Sequence, residues 1–487
     1  MNGPHTNPTG QPLQGLPSLY QQTVSVAALE RRRTAVSTRI GAGSIALLQG
    51  APKPSGSGLF RQTNEMYHLS GIEVPHAYLT IAGGTGASTL YLPHLDESTA
   101  RVQGAYLHCD DPDQVTALVG VQRVRPLETL GSDLSFYVER ATHPRLVVPL
   151  RSAELGTESR DDVLAAVGSA LSDPWMTPIT RPAALIRRLR GAFPELHIDN
   201  LSPLLDELRA HKDIDEINLL RRAGELCAAG VTEAMRSTEP GRYEYELAAT
   251  AGFVFAAGGA RGDGYRAIVA GGTNAWHGHY GRQSGRLADG DLVLMDFAPD
   301  FAYYTSDIGR MWPVNGTFST TQRALYGFIV RYHRELLSRI RPGVLADDVM
   351  DDVAEVMSPV VDQTNFTSDV HRRAARGALD FRGHLSHPVG MSVHDVGGYR
   401  GRPLEVGTVL SVDPMLWVEQ EKGYIRCEDT LVVTEDGCEV FTAAAPLDCD
   451  EIEAVMKEPG LLQAFPTRSW STAQSSPVVV AQHGRNR

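Results

Sequence analysis

Along the first two hundred residues, short apolar runs alternate with amphipathic stretches. Residues 44–48 (SIALL), 77–81 (AYLTI), 89–92 (TLYL) and 146–150 (LVVPL) have the length and composition of strands. Residues 161–171 and 183–189 space their apolar positions as helices do. Gly83-Gly84-Thr85-Gly86 joins strand to strand, which predicts a hairpin turn; a phosphate loop would need a helix N-terminus behind it. From 201 to 235 the pattern is helical, with Ile214, Ile217, Leu219, Leu220 and Leu226 recurring among Asp, Glu and Arg. Gly-punctuated, strand-rich segments follow, interrupted by helices near 321–341 and 347–361. Helices then strands, twice over, predict two similar halves, although no sequence repeat is visible between them.

Length divides this picture into units. A chain of 487 residues exceeds one ordinary core. The pattern changes near residue 205, so domains are expected at 19–205 and 206–460. Residues 1–18 are rich in Pro, Gly, Asn and Gln, and the tail 461–487 is similar from about Trp470, so both are expected to be disordered extensions. A hydrophobic content of 42% with 21% charged residues is that of a folded, soluble protein. The net charge of −13 argues against nucleic acid or an anionic membrane as partner, since both need a basic surface. The N-terminus has no basic start followed by an apolar stretch, and no apolar run approaches the ~20 residues that cross a bilayer. Five scattered cysteines with no CxxC pair read as reduced thiols of a cytoplasmic protein.

The candidate chemistry lies in the second half. In residues 291–313 (DLVLMDFAPDFAYYTSDIGRMWP) two strand-like runs flank a turn. A hairpin centred between Phe301 and Ala302 sets Asp296 opposite Asp307. Residues 408–434 repeat the arrangement, and a centre near Gln420 sets Asp413 opposite Glu428. Opposed carboxylates, with Cβ atoms ~4.5–5.5 Å apart, repel unless a cation lies between them. One such acid reads as a solvated face or a turn. Two mirrored pairs inside Val/Leu-rich strands, where charge is expensive, read as a metal site. Residues 382–399 (RGHLSHPVGMSVHDVGGY) add His384, His387 and His394, at least one of which is expected to be structural. Four carboxylates, one imidazole and no sulfur suit Mn²⁺ or Co²⁺, and can hold Zn²⁺.

With these motifs the chain resembles metallopeptidase family M24, the pita-bread family of aminopeptidase P, prolidase and methionine aminopeptidase. The resemblance implies an α+β chain: a C-terminal pita-bread catalytic domain behind an N-terminal α/β domain of the creatinase/aminopeptidase P type. The family's ligands run Asp, Asp, His, Glu, Glu, the first two eleven residues apart. Asp296, Asp307, His387 (in LSH) and Glu428 match by spacing and local sequence. The segment 60–81 (FRQTNEMYHLSGIEVPHAYLTI) is similar to the N-terminal domain of aminopeptidase P.

The resemblance implies two divalent metal ions, most simply Mn²⁺, held by Asp296, Asp307, His387, Asp413 and Glu428. It implies an Xaa-Pro aminopeptidase acting on proline-containing peptides as a homodimer or homotetramer. His279 would line the substrate site, and His394 (in VHDVG) would contact the scissile carbonyl. Arg426 would orient Glu428. Asp413 or Glu428 would move the proton. Three positions depart from the family: Asp413 stands where it has Glu, Gly383 where it commonly has His, and Trp417 where aminopeptidase P often has Tyr. Rival readings are a prolidase restricted to dipeptides, a metal-free C–N hydrolase of the creatinase type, and a non-enzymatic binding module.

Overall fold

A computed structural model describes residues 23–465 apart from Ser55, Ser57, Thr157, Thr177 and Pro178. The expected N-terminal extension and most of the expected C-terminal one lie outside the described residues.

The N-terminal domain is built on a six-stranded sheet of β1 (Ser44–Gln49), β2 (Tyr78–Ala82), β3 (Ser88–Leu92), β4 (Arg123–Pro126), β5 (Arg145–Val148) and β6 (His197–Asn200), in the order β4-β3-β2-β1-β5-β6. The central β1-β2 and β2-β3 pairs are antiparallel, and β4, β5 and β6 add parallel strands outside them. The glycine-rich segment after β2 is the predicted hairpin turn, with Ile81 opposite Ser88. Helix Val26–Ile40 opens the described chain, its first turn capped by the Ser25 hydroxyl.

The expected helix over 201–235 is two helices, Ser202–Ala210 and Ile214–Ser237. Asp213 interrupts it by starting a new one. Its carboxylate accepts Glu216 N–H while the Glu216 carboxylate accepts Asp213 N–H, and such a capping box fixes an N-terminus. The pattern also missed helix Glu244–Ala257, whose apolar residues lie on its exposed side as well as on the side packed against Ile214–Ser237, and helix Asp369–Asp380.

The second domain centres on an antiparallel sheet of seven strands: β7 (Ile268–Gly271), β8 (Leu292–Asp296), β9 (Ile308–Pro313), β10 (Leu385–Pro388), β11 (Val409–Val412), β14 (Glu428–Val433) and β15 (Cys438–Val440). Their order is β10-β11-β14-β9-β8-β7, with β15 beside β14; β12 (Met415–Val418) and β13 (Gly423–Arg426) form a separate hairpin. The main core packs the sheet against helices Ile214–Ser237, Glu244–Ala257, Thr320–Leu337 and Ala346–Gln363. No described helix is long and apolar enough to cross a membrane.

The registers test the two predicted hairpins. In the second, Met415 opposes Arg426 and Val412 opposes Asp429, so the same register sets Asp413 level with Glu428, as the turn position predicts. The first is corrected: Asp296 opposes Gly309, not Asp307. The turn is centred between Ala302 and Tyr303, one residue later than expected, and Phe301 bridges Tyr304. Both central residues adopt positive φ, 52° and 73°, the conformation of a tight two-residue hairpin turn. Moving the centre by one residue moves the register by two, which leaves both aspartates on the same face.

Candidate active site

Four carboxylates meet on one face of the sheet because of these registers. Gly309 on β9 has Asp296 as its neighbour on one side and Glu428 on the other. Asp413 continues the row beyond Glu428. In the next row Ser411 opposes Thr430, and Asp307 and His387 flank that pair. Asp296, Asp307, Asp413 and Glu428 are all buried.

Asp296 and Glu428 are two strands apart, roughly 9–10 Å. The guanidinium of Arg426 bridges this gap. Its Nη1 donates to Asp296 Oδ2 at 3.0 Å, and its Nε and Nη2 donate to the two oxygens of Asp413 at 2.9 and 2.8 Å. Nη2 also contacts Glu428 Oε2. Gly309 makes the space: a Cβ there would lie 3.0 Å from Glu428 Cβ and 3.2 Å from Arg426 Nε. The expected orienting role of Arg426 at Glu428 is therefore one of three contacts, and its fullest pairing is with Asp413.

Three ordinary residues complete the cluster, and the sequence reading passed over them. Tyr265 Oη lies 2.6 Å from Asp296 Oδ1 and 2.9 Å from Asp307 Oδ1. Ser411 donates to Glu428 Oε1 at 2.5 Å, and Thr430 Oγ1 accepts the Asp307 N–H at 2.7 Å. A signal existed for two of them. Ser411 and Thr430 are polar residues two positions from Asp413 and Glu428, and alternation puts each on the same strand face as its acid.

The imidazoles divide by environment. His387 Nδ1 donates to its neighbour's carbonyl, Pro388 O, at 3.2 Å, while Nε2 faces Asp307 Oδ2 at 3.2 Å. Burial, then repulsion from His394, lowers its pKa to about 3, so the ring is neutral with the Nε2 lone pair turned to Asp307. Its ring centre is 4.1 Å from that of His394, and His279 stands 6.4 Å from His394. His277 and His279 are exposed. His384 is the structural histidine: its Nε2 donates to Ala378 O at 2.7 Å, and Tyr332 and Phe381 stand edge-on to it. Trp417 packs against Phe381 and Tyr424.

The N-terminal domain reaches this site. Ser159 Oγ accepts the His394 N–H at 3.3 Å, and Asp161 Oδ2 lies 3.2 Å from His394 Nδ1. Behind His394, the buried Asp395 carboxylate takes Arg209 at 2.5 Å and Lys212 at 3.2 Å. A chain of ion pairs continues from there: Arg209–Glu154 at 3.6 Å, Glu154–Arg160 at 2.8 Å, and Arg160 with Asp206 at 3.1 Å and Glu65 at 3.7 Å.

The carboxylate cluster carries more negative charge than Arg426 offsets. Burial, then repulsion from Glu428 and Asp296, holds the Asp307 carboxyl well above its usual range. Asp413 and Asp296 are raised too, by burial and by Glu428, against the pull of Arg426. Single oxygen or nitrogen atoms of Asp307, His387 and Glu428 all lie within 4.8 Å of one another, which fits a divalent ion.

Comparison with known proteins agrees with this geometry. The family model for "Metallopeptidase family M24" matches residues 218–435, and that for "Aminopeptidase P, N-terminal domain" matches 29–147. An Xaa-Pro aminopeptidase of Escherichia coli is 30% identical over 464 residues, covering 89% of this chain and 98% of that protein. An Xaa-Pro aminopeptidase of Haemophilus influenzae is 38% identical over 268 residues, 52% of this chain and 62% of that protein. The solved structure of E. coli aminopeptidase P with the inhibitor Pro-Leu superposes with a TM-score of 0.71 at 28% identity, covering 89% of this chain and 98% of that one.

Proposed function

The chain belongs to metallopeptidase family M24, and from that premise we propose that it is an Xaa-Pro aminopeptidase, releasing the first residue of peptides whose second residue is proline. The observation that carries the reading is the convergence of Asp307, His387 and Glu428 beside Asp296 and Asp413, in a chain similar over most of its length to a named Xaa-Pro aminopeptidase.

Asp296, Asp307, His387, Asp413 and Glu428 would hold two divalent ions. An oxygen-rich donor set with one imidazole favours Mn²⁺, with Co²⁺ and Zn²⁺ as alternatives. Bound there, such ions supply Lewis acidity and a water acidified towards neutral pH. The remaining work belongs to the chain. His394, beside His387, donates a hydrogen bond to the oxygen of the scissile carbonyl and steadies the charge that develops on it. Asp413 or Glu428 accepts a proton and delivers it to the leaving proline nitrogen. His279 lines the substrate side. Arg426 holds the carboxylates in place. It engages both oxygens of Asp413, so this donor has the strongest competitor of the five.

We further propose a cytoplasmic homodimer or homotetramer. The five cysteines are unpaired. Leu164, Leu171, Trp175 and Met176 are exposed large apolar side chains on and after helix Arg160–Ser172, and their exposure supports an interface on this segment.

The test strips the protein with chelator, restores Mn²⁺, Co²⁺ or Zn²⁺, and assays Xaa-Pro-Yaa tripeptides beside Xaa-Pro dipeptides. Metal-dependent release of the first residue from tripeptides is expected. Cleavage of dipeptides alone would make the protein a prolidase. Metal binding without cleavage of any proline peptide would overturn the substrate.

A further inference from the structure

A second group of side chains able to bind a metal stands in the N-terminal domain, at the carboxyl ends of β3 and the edge strand β4, which run parallel. His94 follows β3, Cys109 and Asp110 precede helix Pro112–Val119, and Glu128 follows β4. One donor atom each from His94, Cys109 and Asp110 lies within 4.8 Å of the others.

The orientation of each side chain matters more than their proximity. His94 Nδ1 points inward, 3.4 Å from Cys109 Sγ and 2.5 Å from Asp110 Oδ1. Its other nitrogen, Nε2, is taken by Glu128 at 2.9 Å. A carboxylate on the far nitrogen is the usual support of a metal-bound histidine, because it fixes ring and tautomer. Asp110 is likewise split: Oδ2 accepts the Leu95 N–H at 2.8 Å, leaving Oδ1 on the inner side, 4.0 Å from Cys109 Sγ. Cys109 itself is buried, and its backbone N–H is held by Pro93 O at 3.1 Å.

We propose that His94, Cys109 and Asp110 form a separate site for a divalent cation of the zinc class, with Glu128 as the positioning residue behind His94. A tetrahedral zinc site with ordinary bond lengths separates its ligand atoms by about 3.3–3.6 Å. The sulfur–nitrogen distance already fits, while the sulfur–oxygen distance of 4.0 Å must shorten on binding. The nitrogen–oxygen distance is a hydrogen bond, and it opens when the ion takes the place of the proton. Binding displaces the Cys109 thiol proton and any proton on His94 Nδ1. A fourth position is left to water, since His108 Nδ1 is engaged by the Asp110 N–H at 3.2 Å. This site does not rest on the proposed peptidase activity.

The experiment titrates chelator-stripped, full-length protein with Co²⁺. The candidate active-site donors contain no sulfur, so a near-ultraviolet thiolate-to-cobalt band reports on Cys109. The band is expected to appear, to vanish on adding Zn²⁺, and to be absent from Cys109→Ser. Glu128→Gln should weaken Co²⁺ binding at this site by about 10–100-fold. A wild-type measurement guards against a misfolded variant: Zn²⁺ should slow alkylation of Cys109, mapped by peptide mass, at least tenfold. No band in the wild type, a band that survives Cys109→Ser, or unprotected Cys109 would each overturn the site. His94 would then be only an imidazolium between two carboxylates.

Discussion

Two buried groups of charges lie on either side of His394, and they are built on opposite principles. The ion-pair chain behind it sets Arg160, Arg209 and Lys212 among Glu65, Glu154, Asp206 and Asp395. Burial, then repulsion from Glu154, pushes the Glu65 carboxyl up to about 7, which brings the total close to neutral. In front, Asp296, Asp413 and Glu428 share one guanidinium and Asp307 stands beside them without an arginine partner. Two like charges 4 Å apart cost about 4 kcal/mol at an effective dielectric of 20, so the second group is frustrated without cations and the first is not. Balanced charge locks two domains together. Unbalanced charge stores affinity for something that arrives later.

The largest test removes the unbalanced side's purpose. Asp307→Ala should abolish metal binding and lower turnover by roughly 10³-fold or more, because several kcal/mol of transition-state stabilisation go with the ions. Isothermal titration with Mn²⁺ beside a tripeptide assay checks both, and full activity would sink the metal scheme. On the balanced side, Asp395→Ala strands Arg209 and Lys212 in a buried site. It should cost about 3–5 kcal/mol of stability in a denaturant titration, with metal present or absent. A loss below 1 kcal/mol would mean the chain of pairs is not what locks the domains.

A smaller effect is expected at Gly309. Its missing side chain gives Arg426 room, so Gly309→Ala should cost about 1–3 kcal/mol and loosen metal binding. An unchanged melting curve would show that Arg426 has space to spare. The smallest effect is one of sign. The raised carboxyl of Asp307 favours the metal-free folded state below the unfolded pKa of about 3.9, and that contribution is lost as pH rises through the folded value. At Asp395 burial opposes ionisation, but Arg209 and Lys212 outweigh it and the pKa falls. Its stabilisation is present above about 3.9 and lost as pH falls through the folded value. Melts of stripped protein from about pH 2 to 8 should therefore flatten in Asp307→Asn at the upper end and in Asp395→Asn below about pH 4, by at most ~1.4 kcal/mol per pH unit for each group. Equal slopes in all three proteins would erase the distinction.

The sequence disclosed one side of this comparison and hid the other. Charges in Val/Leu-rich strands are conspicuous, so Asp296, Asp307, Asp413 and Glu428 stood out before any fold was known. Strands β1, β2, β3 and β5 were also legible, to within a residue or two, as short apolar runs bounded by turns. Glu65 and Arg209 on helices, and Glu154 in a loop, looked like any solvated charges, because their partners lie far along the chain. Gly309 was invisible for a related reason: it acquires its place only through the strand register, and Tyr265 lies in a bend between strands. That register hung on a turn whose central residues, Ala302 and Tyr303, do not advertise positive φ as an Asn-Gly pair would.

Tyr303 is also where the N-terminal domain takes hold. Its ring stacks on Tyr67 with centres 3.6 Å apart; its hydroxyl accepts Gln62 N–H at 2.8 Å and donates to Glu73 at 2.8 Å. A bulky residue in this conformation is strained, and the docked neighbour is what holds it there. The spacing of two aspartates and the grip between two domains are thus decided at a single bend. The halves of this protein are not interchangeable parts: a foreign N-terminal domain grafted onto this catalytic one would have to bring its own socket for that tyrosine, or inherit a misaligned pair of acids.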